Sequence, residues 1–211
     1  AMNIDMIIMR HSCAGAPHFL SECVDAGVIN AGDGFHEHPT QALLDIFTIR
    51  EKLGKIKDLK ISIIGDIAHS RVARSNIVGL NKLGAHVTVC GPKTLIPKEI
   101  EKMNVKVTYS LEEALKEADA VNILRIQKER QKKALIPTTR EYAKLFGIDK
   151  EKLDKWAKRE ILIMHPGPIN RGIELSQESA DGEYSVILEQ VTNGVAIRMA
   201  VLFLLSQAKK G

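Results

Sequence analysis

The segment "KISIIGDIAHSRVARSNIVGLNKLGAHVTVCGP", residues 60–92, decides which fold the sequence predicts. Its first part is a continuous apolar run, typical of a strand that is buried on both faces. "SRVARSNIVGLNKLG" then shows helical spacing, with Ser70 as a candidate N-cap and Gly84 as a stop. "HVTVCGP" is a second strand. A strand, a helix and another strand predict two parallel strands joined by a right-handed crossover.

The same alternation extends along the rest of the chain. Further strands are predicted at "DMIIMR", "GVINAG", "VKVTYS", "AVNILR" and "EILIMHPGP", and one helix is predicted to begin at Pro39 and to stop at Gly54. The polar segment that follows "AVNILR", to about residue 148, is predicted to be a loop. This pattern predicts an α/β protein whose parallel sheets are flanked by helices.

Two lobes are expected. The basic connector "KLGKIKDLK" is the best candidate for a boundary, so we predict lobes in residues 1–54 and 55–175. A long helix in residues 176–211 is expected to return to the first lobe and to pack a core with one apolar face, formed by Leu188, Val191, Val195, Met199 and Leu202.

Composition is ordinary for a soluble globular protein with a mild excess of positive charge. The 211 residues are 45% hydrophobic and 27% charged, and 30 basic against 26 acidic residues give a net charge of +4. The lysines are spread along the chain, so we expect no nucleic-acid binding, although a positive field favours anionic substrates.

Location is predicted from the cysteines and from the most apolar stretch. The three cysteines have no zinc-site spacing and are expected to be buried thiols in a reducing compartment. The stretch "VAIRMAVLFLL" is too short to span a membrane and contains Arg198. We therefore predict a cytoplasmic protein without a membrane partner.

The segment "HEHPTQ" places polar groups at the start of a helix. Pro39 suits the first helical position, which puts His38 at the mouth of the helix and Gln41 one turn inside. The N–H groups and the dipole there favour an anion and keep the imidazole neutral, so His38 could donate to a carbonyl oxygen. Alternatively, His38 only caps the helix and Gln41 is a surface residue. His36 lies two residues from His38, but further metal ligands are lacking, so no metal site is expected.

Cationic residues follow several of the predicted strands. Because the carboxyl ends of parallel strands meet at one edge, Arg10, Arg71, Arg125 and His165 are expected along that edge. Arg71, in the first turn of a helix, suits a carboxylate or phosphate, although a solvated arginine is the ordinary alternative. Gln127 is two residues beyond Arg125 and points to the same side in extended backbone.

The segment "MHPGPINRG" cannot extend the strand before it, because two prolines interrupt the pairing. It can present backbone carbonyls in a fixed direction, and a cis bond between Gly167 and Pro168 is plausible. The alternative is a rigid turn without a ligand. No nucleophile set is recognisable, which suits a reaction whose nucleophile comes from a substrate.

Four segments together resemble aspartate carbamoyltransferases: "AGDG..EHPTQALLDIFTI", "GDIAHSRVARSN", "RIQKER" and "HPGPINRGIEL", in this order and at this spacing. The resemblance implies the carbamoyltransferase fold with an incomplete first lobe. Residues 1–54 would be the C-terminal part of the carbamoyl-phosphate domain, and residues 55–175 the aspartate-binding domain. It also implies a homotrimeric transferase without a cofactor, which carbamoylates L-aspartate in pyrimidine biosynthesis.

The resemblance also implies roles for individual residues. Arg10, His38 and Gln41 would contact carbamoyl phosphate. Arg71 and Arg125 would clamp the carboxylates of aspartate, with Gln127 nearby. Gly167 and Pro168 would use their backbone carbonyls to orient the carbamoyl amide and the attacking amine.

The sequence departs from the family in one respect. Neither the Ser-Thr-Arg-Thr-Arg phosphate loop nor the Ser- and Lys-bearing loop that reaches a neighbouring subunit occurs in these 211 residues. We therefore expect a C-terminal portion of a catalytic chain, inactive by itself. The alternatives are an ornithine-type carbamoyltransferase and a non-catalytic scaffold that holds a dihydroorotase or a regulatory chain. A dinucleotide-binding oxidoreductase fails because the G-x-G-x-x-G fingerprint is missing.

Overall fold

The N-terminal part of the chain, residues 4–54, contains a small parallel sheet and corresponds to what the sequence analysis called the first lobe. The computed structural model describes residues 4–126 and 138–208. Its first two strands pair in parallel, with a helix between them, and a longer helix then leads towards the second lobe. These elements are β1 (Met6–His11), α1 (Ala16–Cys23), β2 (Gly27–Asp33) and α2 (Pro39–Leu53).

A five-stranded parallel sheet in the order β5-β4-β3-β6-β7 forms the second lobe. Helices cover both of its faces, each over a separate apolar core. Its elements are β3 (Lys60–Ile64), α3 (Arg71–Lys82), β4 (His86–Cys90), β5 (Lys106–Thr108), α4 (Leu111–Lys116), β6 (Ala120–Ile123), α5 (Thr139–Phe146), α6 (Lys150–Trp156), β7 (Leu162–Met164), α7 (Gln177–Ala180) and α8 (Ile187–Ala208), with short 3₁₀ helices at Lys93–Leu95 and Ile100–Met103. The predicted α/β class with parallel sheets is confirmed.

The β3–α3–β4 unit has the apolar strand, the helix cap and the glycine stop that residues 60–92 predict. The apolar residues of β3 are almost completely buried, as expected for a central strand. The side chain of Ser70 accepts a hydrogen bond from the Ala73 N–H at 3.1 Å and caps α3. Gly84 follows the end of α3 with φ +79°, and Gly54 ends α2 with φ +74°. A side chain at either glycine would strain the backbone.

The strand order creates a crevice at the centre of the sheet. After β3 the chain runs outwards to β4 and β5, and it later returns to the other side of β3 to form β6 and β7. The loops that leave β3 and β6 therefore turn in opposite directions. In open α/β sheets this switch point is where ligands bind.

Helix α8 packs on α2 of the first lobe, but not through the predicted face. The side chains of Gln190 and Asn193 are buried in this contact, and their amides donate to Asp45 and Thr48 of α2. The predicted apolar face is exposed instead, with Leu188 80% and Met199 65% accessible. The prediction was wrong because α8 is apolar around most of its circumference, so hydrophobic spacing does not show which side meets α2.

The sequence analysis judged the apolar stretch at residues 195–205 too short to span a membrane, but the helix that contains it is longer. Judged by length and composition alone, the 21 residues Ile187–Gln207 could cross a membrane, with a mean hydropathy of 1.4. Within this helix, the amides of Gln190 and Asn193 are buried and donate to α2. The cysteine prediction was correct for Cys90 only, because Cys13 and Cys23 are exposed.

Candidate active site

A cavity of about 500 Å³ lies between the lobes at the carboxyl ends of the strands. Seven of the eight predicted site residues line it: Arg10, His38, Gln41, Arg71, Arg125, Gly167 and Pro168. The eighth, Gln127, lies outside the described residues. The cavity extends over the crevice between β3 and β6, so the topology and the predicted residues indicate the same place.

His38 meets the cavity at the start of α2. Pro39 occupies the first turn, and the His38 backbone N–H donates to the Ser75 hydroxyl on α3 at 2.9 Å. The His38 side chain does not cap the helix, and its Nδ1 atom is buried without a hydrogen-bond partner among the residues that the structure describes. Gln41 is only 8% exposed. The simpler alternative, a capping His38 and a surface Gln41, is therefore wrong.

The imidazole of His38 is uncharged at neutral pH. Burial, as the largest cause, and the positive charges of Arg71, Arg10 and Arg198 together lower its pKa to about 4. The expected neutral state is thus supported, although burial and guanidinium groups are the causes rather than the helix dipole alone. A neutral imidazole can donate an N–H to a carbonyl oxygen without adding charge to the cavity.

The carboxylate of Asp33 stabilises the loop between β2 and α2, which leads to His38. This carboxylate accepts hydrogen bonds from the backbone N–H groups of Gly15 at 2.6 Å and Glu37 at 2.9 Å, and from the side chains of Asn30 and His36. Burial alone would raise the pKa of Asp33, but these hydrogen bonds lower it to about 2. His36 is thus engaged with Asp33. Within residues 4–126 and 138–208, no cluster of three or more His, Cys, Asp or Glu could hold a metal.

Arg71 crosses from the second lobe towards the first. It is the first residue of α3 and is 7% exposed. A Cβ atom at Gly32, at the end of β2, would lie 2.7 Å from Cζ of Arg71. Gly32 has φ +115°, a backbone conformation that favours glycine, and a Cβ atom there would displace the guanidinium of Arg71. The ordinary alternative, a solvated Arg71, is wrong because the side chain is buried between the lobes.

Asp66 and His69, which the sequence analysis did not single out, line the same cavity. The His69 ring nitrogen Nδ1 lies 2.9 Å and 3.0 Å from the two carboxylate oxygens of Asp66. The edge of the His69 ring meets Phe35, with 5.3 Å between centroids. The motif "GDIAHSR" contains both residues, and a signal was available in their spacing, since residues three apart in a turn can pair.

Two loops complete the side of the cavity opposite α2. Arg125 follows β6, and Gly167 and Pro168 follow β7, with the predicted cis bond between them. The Asn170 side chain donates to the Ile126 carbonyl at 3.1 Å and so joins the two loops. The backbone carbonyl groups of the Gly167 loop are therefore held next to the segment that carries Arg125.

Arg198 on α8 is a fourth arginine of the cavity among the described residues. One turn earlier, a Cβ atom on Gly194 would lie 2.5 Å from Nη1 of Arg198. Glycine at that position thus lets the guanidinium lie back along the helix towards α2. The sequence analysis treated Arg198 only as a charge in an apolar stretch. The Gly-x-x-x-Arg spacing on one helix face could have indicated it.

These features describe a cleft for small anions. Guanidinium groups bind carboxylate and phosphate oxygens in bidentate geometry, and here they come from both lobes. Asp66 places one carboxylate among them, so the cavity carries positive charge without being uniformly basic. The neutral His38 and the Gln41 amide add hydrogen-bonding groups suited to an uncharged carbonyl or amide.

Two family models match the chain. The aspartate/ornithine carbamoyltransferase Asp/Orn binding domain matches residues 57–205, and the carbamoyl-P binding domain of the same family matches residues 1–51. The aspartate carbamoyltransferase catalytic subunit of Syntrophus aciditrophicus is 59% identical over 208 residues, which are 99% of this chain and 67% of that protein. Its counterpart in Halothermothrix orenii is 62% identical over 205 residues, 97% of this chain and 65% of that protein.

Solved structures give the same result. Aspartate transcarbamoylase from Trypanosoma cruzi in complex with carbamoyl phosphate superposes with a TM-score of 0.83 at 29% identity, over 94% of this chain and 66% of that one. Ornithine carbamoyltransferase from Pyrococcus furiosus superposes with a TM-score of 0.81 at 28% identity, over 95% and 66%. The chain spans about two thirds of the length of these relatives. The resemblance to aspartate carbamoyltransferase catalytic chains is confirmed, and the chain belongs to the aspartate/ornithine carbamoyltransferase family.

Proposed function

We propose that this chain binds carbamoyl phosphate and L-aspartate in the cavity between its lobes and contributes to carbamoyl transfer from the first to the second. The observation that carries this proposal is the meeting of a neutral His38 and the Gln41 amide with arginines from both lobes. Trypanosoma cruzi aspartate transcarbamoylase, which shares the fold, has been solved with carbamoyl phosphate and with N-(phosphonacetyl)-L-aspartic acid.

The reaction needs two substrates in one orientation. The neutral amine of aspartate attacks the carbamoyl carbon, a C–N bond forms, the bond from carbon to the phosphate oxygen breaks, and the departing phosphate accepts the proton of the amine. Arg71 and Arg125 grip the two carboxylates, and Gln127 is assigned to the same substrate. Holding both reactants in line can supply on the order of 7–11 kcal/mol of the barrier.

The first lobe handles the other substrate. The N–H of His38 donates to the carbamoyl oxygen, where negative charge develops during attack, and Arg10 and Gln41 contact the remainder of carbamoyl phosphate. The backbone carbonyls of Gly167 and Pro168 accept from the carbamoyl amide and the attacking amine. The proposal uses no cofactor or metal, because the substrate supplies the nucleophile.

Several finer points belong to the same proposal. The 211 residues alone are inactive or nearly so, because they lack the family's phosphate loop; one comparable donor is worth about 3–4 kcal/mol in such sites. We propose a cytoplasmic homotrimer as the active form, with a dihydroorotase or a regulatory chain as its partner. Production of carbamoyl aspartate by this chain by itself would contradict the first point.

Calorimetric titration of the chain with N-(phosphonacetyl)-L-aspartate tests the proposal. We expect 1:1 binding that is weakened by Arg71→Gln and Arg125→Gln, and no binding of the matching phosphonacetyl-ornithine. Preference for the ornithine compound would instead support an ornithine-type enzyme. No binding of either compound would favour the scaffold alternative. The aspartate reading is preferred because two arginines on the substrate side suit a dicarboxylate and the most similar relatives described above are aspartate enzymes.

A further inference from the structure

The carboxylate of Asp45 is buried in α2, next to the cavity. Asp45, on α2 one turn after Gln41, has no solvent exposure. Its Oδ1 atom accepts hydrogen bonds from the amides of Gln190 at 2.7 Å and Gln41 at 3.0 Å. Its Oδ2 atom accepts from Asn76 at 2.8 Å and Asn122 at 3.1 Å. Burial raises the pKa of Asp45, and the four hydrogen bonds lower it. Because all four contacts are donated to Asp45, the arrangement suits an ionised carboxylate.

Each of the four donors comes from an element that carries part of the cavity. Gln41 itself lines it, and Asn76 lies on α3, which begins with Arg71. Asn122 lies on β6, three residues before Arg125. Through these three amides, the carboxylate of Asp45 is hydrogen-bonded to α2, α3 and β6, which carry His38, Arg71 and Arg125 or lead directly to them.

The fourth donor extends the connection to the proline loop. Gln190 of α8 donates to Asp45 through its Nε2 atom, and its Oε1 atom accepts from the His165 backbone N–H at 2.9 Å. His165 in turn accepts from the Gly167 N–H at 2.8 Å through Nδ1. Asp45 is thus joined to the loop that presents Gly167, and to the helix that carries Arg198.

We propose that Asp45 is the positioning residue of this site: its carboxylate fixes, through four amides, the elements that carry the binding groups of both substrates. This inference rests on the proposed function, since it assigns what the carboxylate positions. Asp45 does not line the cavity itself, so its effect on binding acts through Gln41, Asn76, Asn122 and Gln190.

Simple electrostatics predicts the opposite effect, which makes the proposal testable. Asp45→Asn removes a negative charge next to a cationic cavity, and the loss of that charge alone should tighten the binding of an anion. The variant also replaces one acceptor oxygen by an NH₂ group that faces two amide donors. If positioning dominates, binding weakens despite the more positive cavity.

Thr48→Val provides a matched control. Thr48 is buried one turn further along α2, and its hydroxyl accepts from Asn193 of α8 at 3.0 Å. It is therefore a second buried polar contact between the same two helices, but it is not joined to the residues of the cavity. Both variants are expected to lower the free energy of unfolding in urea. A difference in ligand affinity between them therefore comes from the connection of Asp45 to the cavity and not from a general loss of stability.

The experiment measures the affinity for N-(phosphonacetyl)-L-aspartate by calorimetry. We expect Asp45→Asn to weaken binding by about tenfold or more, the loss of one charge-assisted hydrogen bond, and Thr48→Val to leave it unchanged. Wild-type or tighter binding by Asp45→Asn, or equal losses in both variants, would overturn the proposal. If Asp45→Asn does not fold, the affinity of Gln190→Met is measured instead, because this variant keeps the Asp45 carboxylate and three of its four donors. We expect weaker binding, and wild-type affinity would overturn the proposal.

A second measurement separates failure of this inference from failure of the proposed function. If the wild-type chain does not bind the compound, the ligand-free signals of the Gln41 side-chain amide and of Arg71 Nε test the positioning role by NMR. We then expect Asp45→Asn or Gln190→Met to shift both signals and Thr48→Val to leave them in place. Unshifted signals would overturn the inference, whatever the substrate.

Discussion

The charge of His38 determines what this residue can do in the cavity, and it can be measured. The ordinary pKa of a histidine is 6.5, and burial together with Arg71, Arg10 and Arg198 lowers that of His38 to about 4. The unfolded chain therefore takes up a proton at a higher pH than the folded one. The folded state loses stability as the pH falls from 6.5 to about 4, and His38 has no effect above that range.

The size of the effect follows from the shift. One unit of pKa corresponds to about 1.4 kcal/mol, so at about pH 5, some 1.5 units below the ordinary value, His38 should cost the fold about 2 kcal/mol relative to about pH 7.5. Urea denaturation of the wild type and of His38→Gln at both pH values isolates this contribution. The wild type should lose about 2 kcal/mol more than the variant on acidification, since glutamine does not titrate.

NMR gives the same answer for the single residue. The ring Cε1–H signal that disappears in His38→Gln should titrate with a pKa of about 4. Arg71→Gln should raise that pKa but leave it below 6.5, because burial is the larger cause. A ring that titrates near 6.5, or equal losses of stability in wild type and variant, would refute the neutral donor.

Three further predictions concern the arginines and the core. Arg125→Ala should weaken L-aspartate binding by about tenfold or more, and carbamoyl phosphate binding by less than about twofold, in separate titrations; equal losses would contradict the division between lobes. Gly194→Ala should weaken phosphonacetyl-aspartate binding because the added methyl group displaces Arg198, and unchanged affinity would show that Arg198 does not contribute. Leu80→Ala should lower the free energy of unfolding by about 2–5 kcal/mol in urea, since Leu80 is 1% exposed, and a loss below about 1 kcal/mol would contradict its packing.

The parts of the fold that were predicted correctly carry their information locally. Strand β3 is a continuous apolar run, α3 has a serine cap and a glycine at its end, and the next strand follows at once. Each signal depends on a few neighbouring residues. The helices α1 and α5 were not predicted, because each has only eight residues and α5 lies within a polar segment that reads as loop.

The residues that were missed depend on contacts between distant segments. Arg198 reaches the cavity only because α8 turns its polar side to α2, and the apolar spacing of α8 favoured the opposite side. The same holds for Asp45, whose position in "TQALLDIFTI" looks like an ordinary polar residue of a surface helix. Its burial depends on the fold, which brings the side-chain amides of Gln41, Asn76, Asn122 and Gln190 together around it.

The central claim is that one cavity holds both anionic substrates between groups from the two lobes. NMR of the chain during titration with N-(phosphonacetyl)-L-aspartate tests it most directly, by following the His38 ring and the Nε signals of Arg71 and Arg125 together. The account predicts that all three signals shift with the same dissociation constant. Shifts at different ligand concentrations, or shifts of the two arginines without any change at His38, would contradict it.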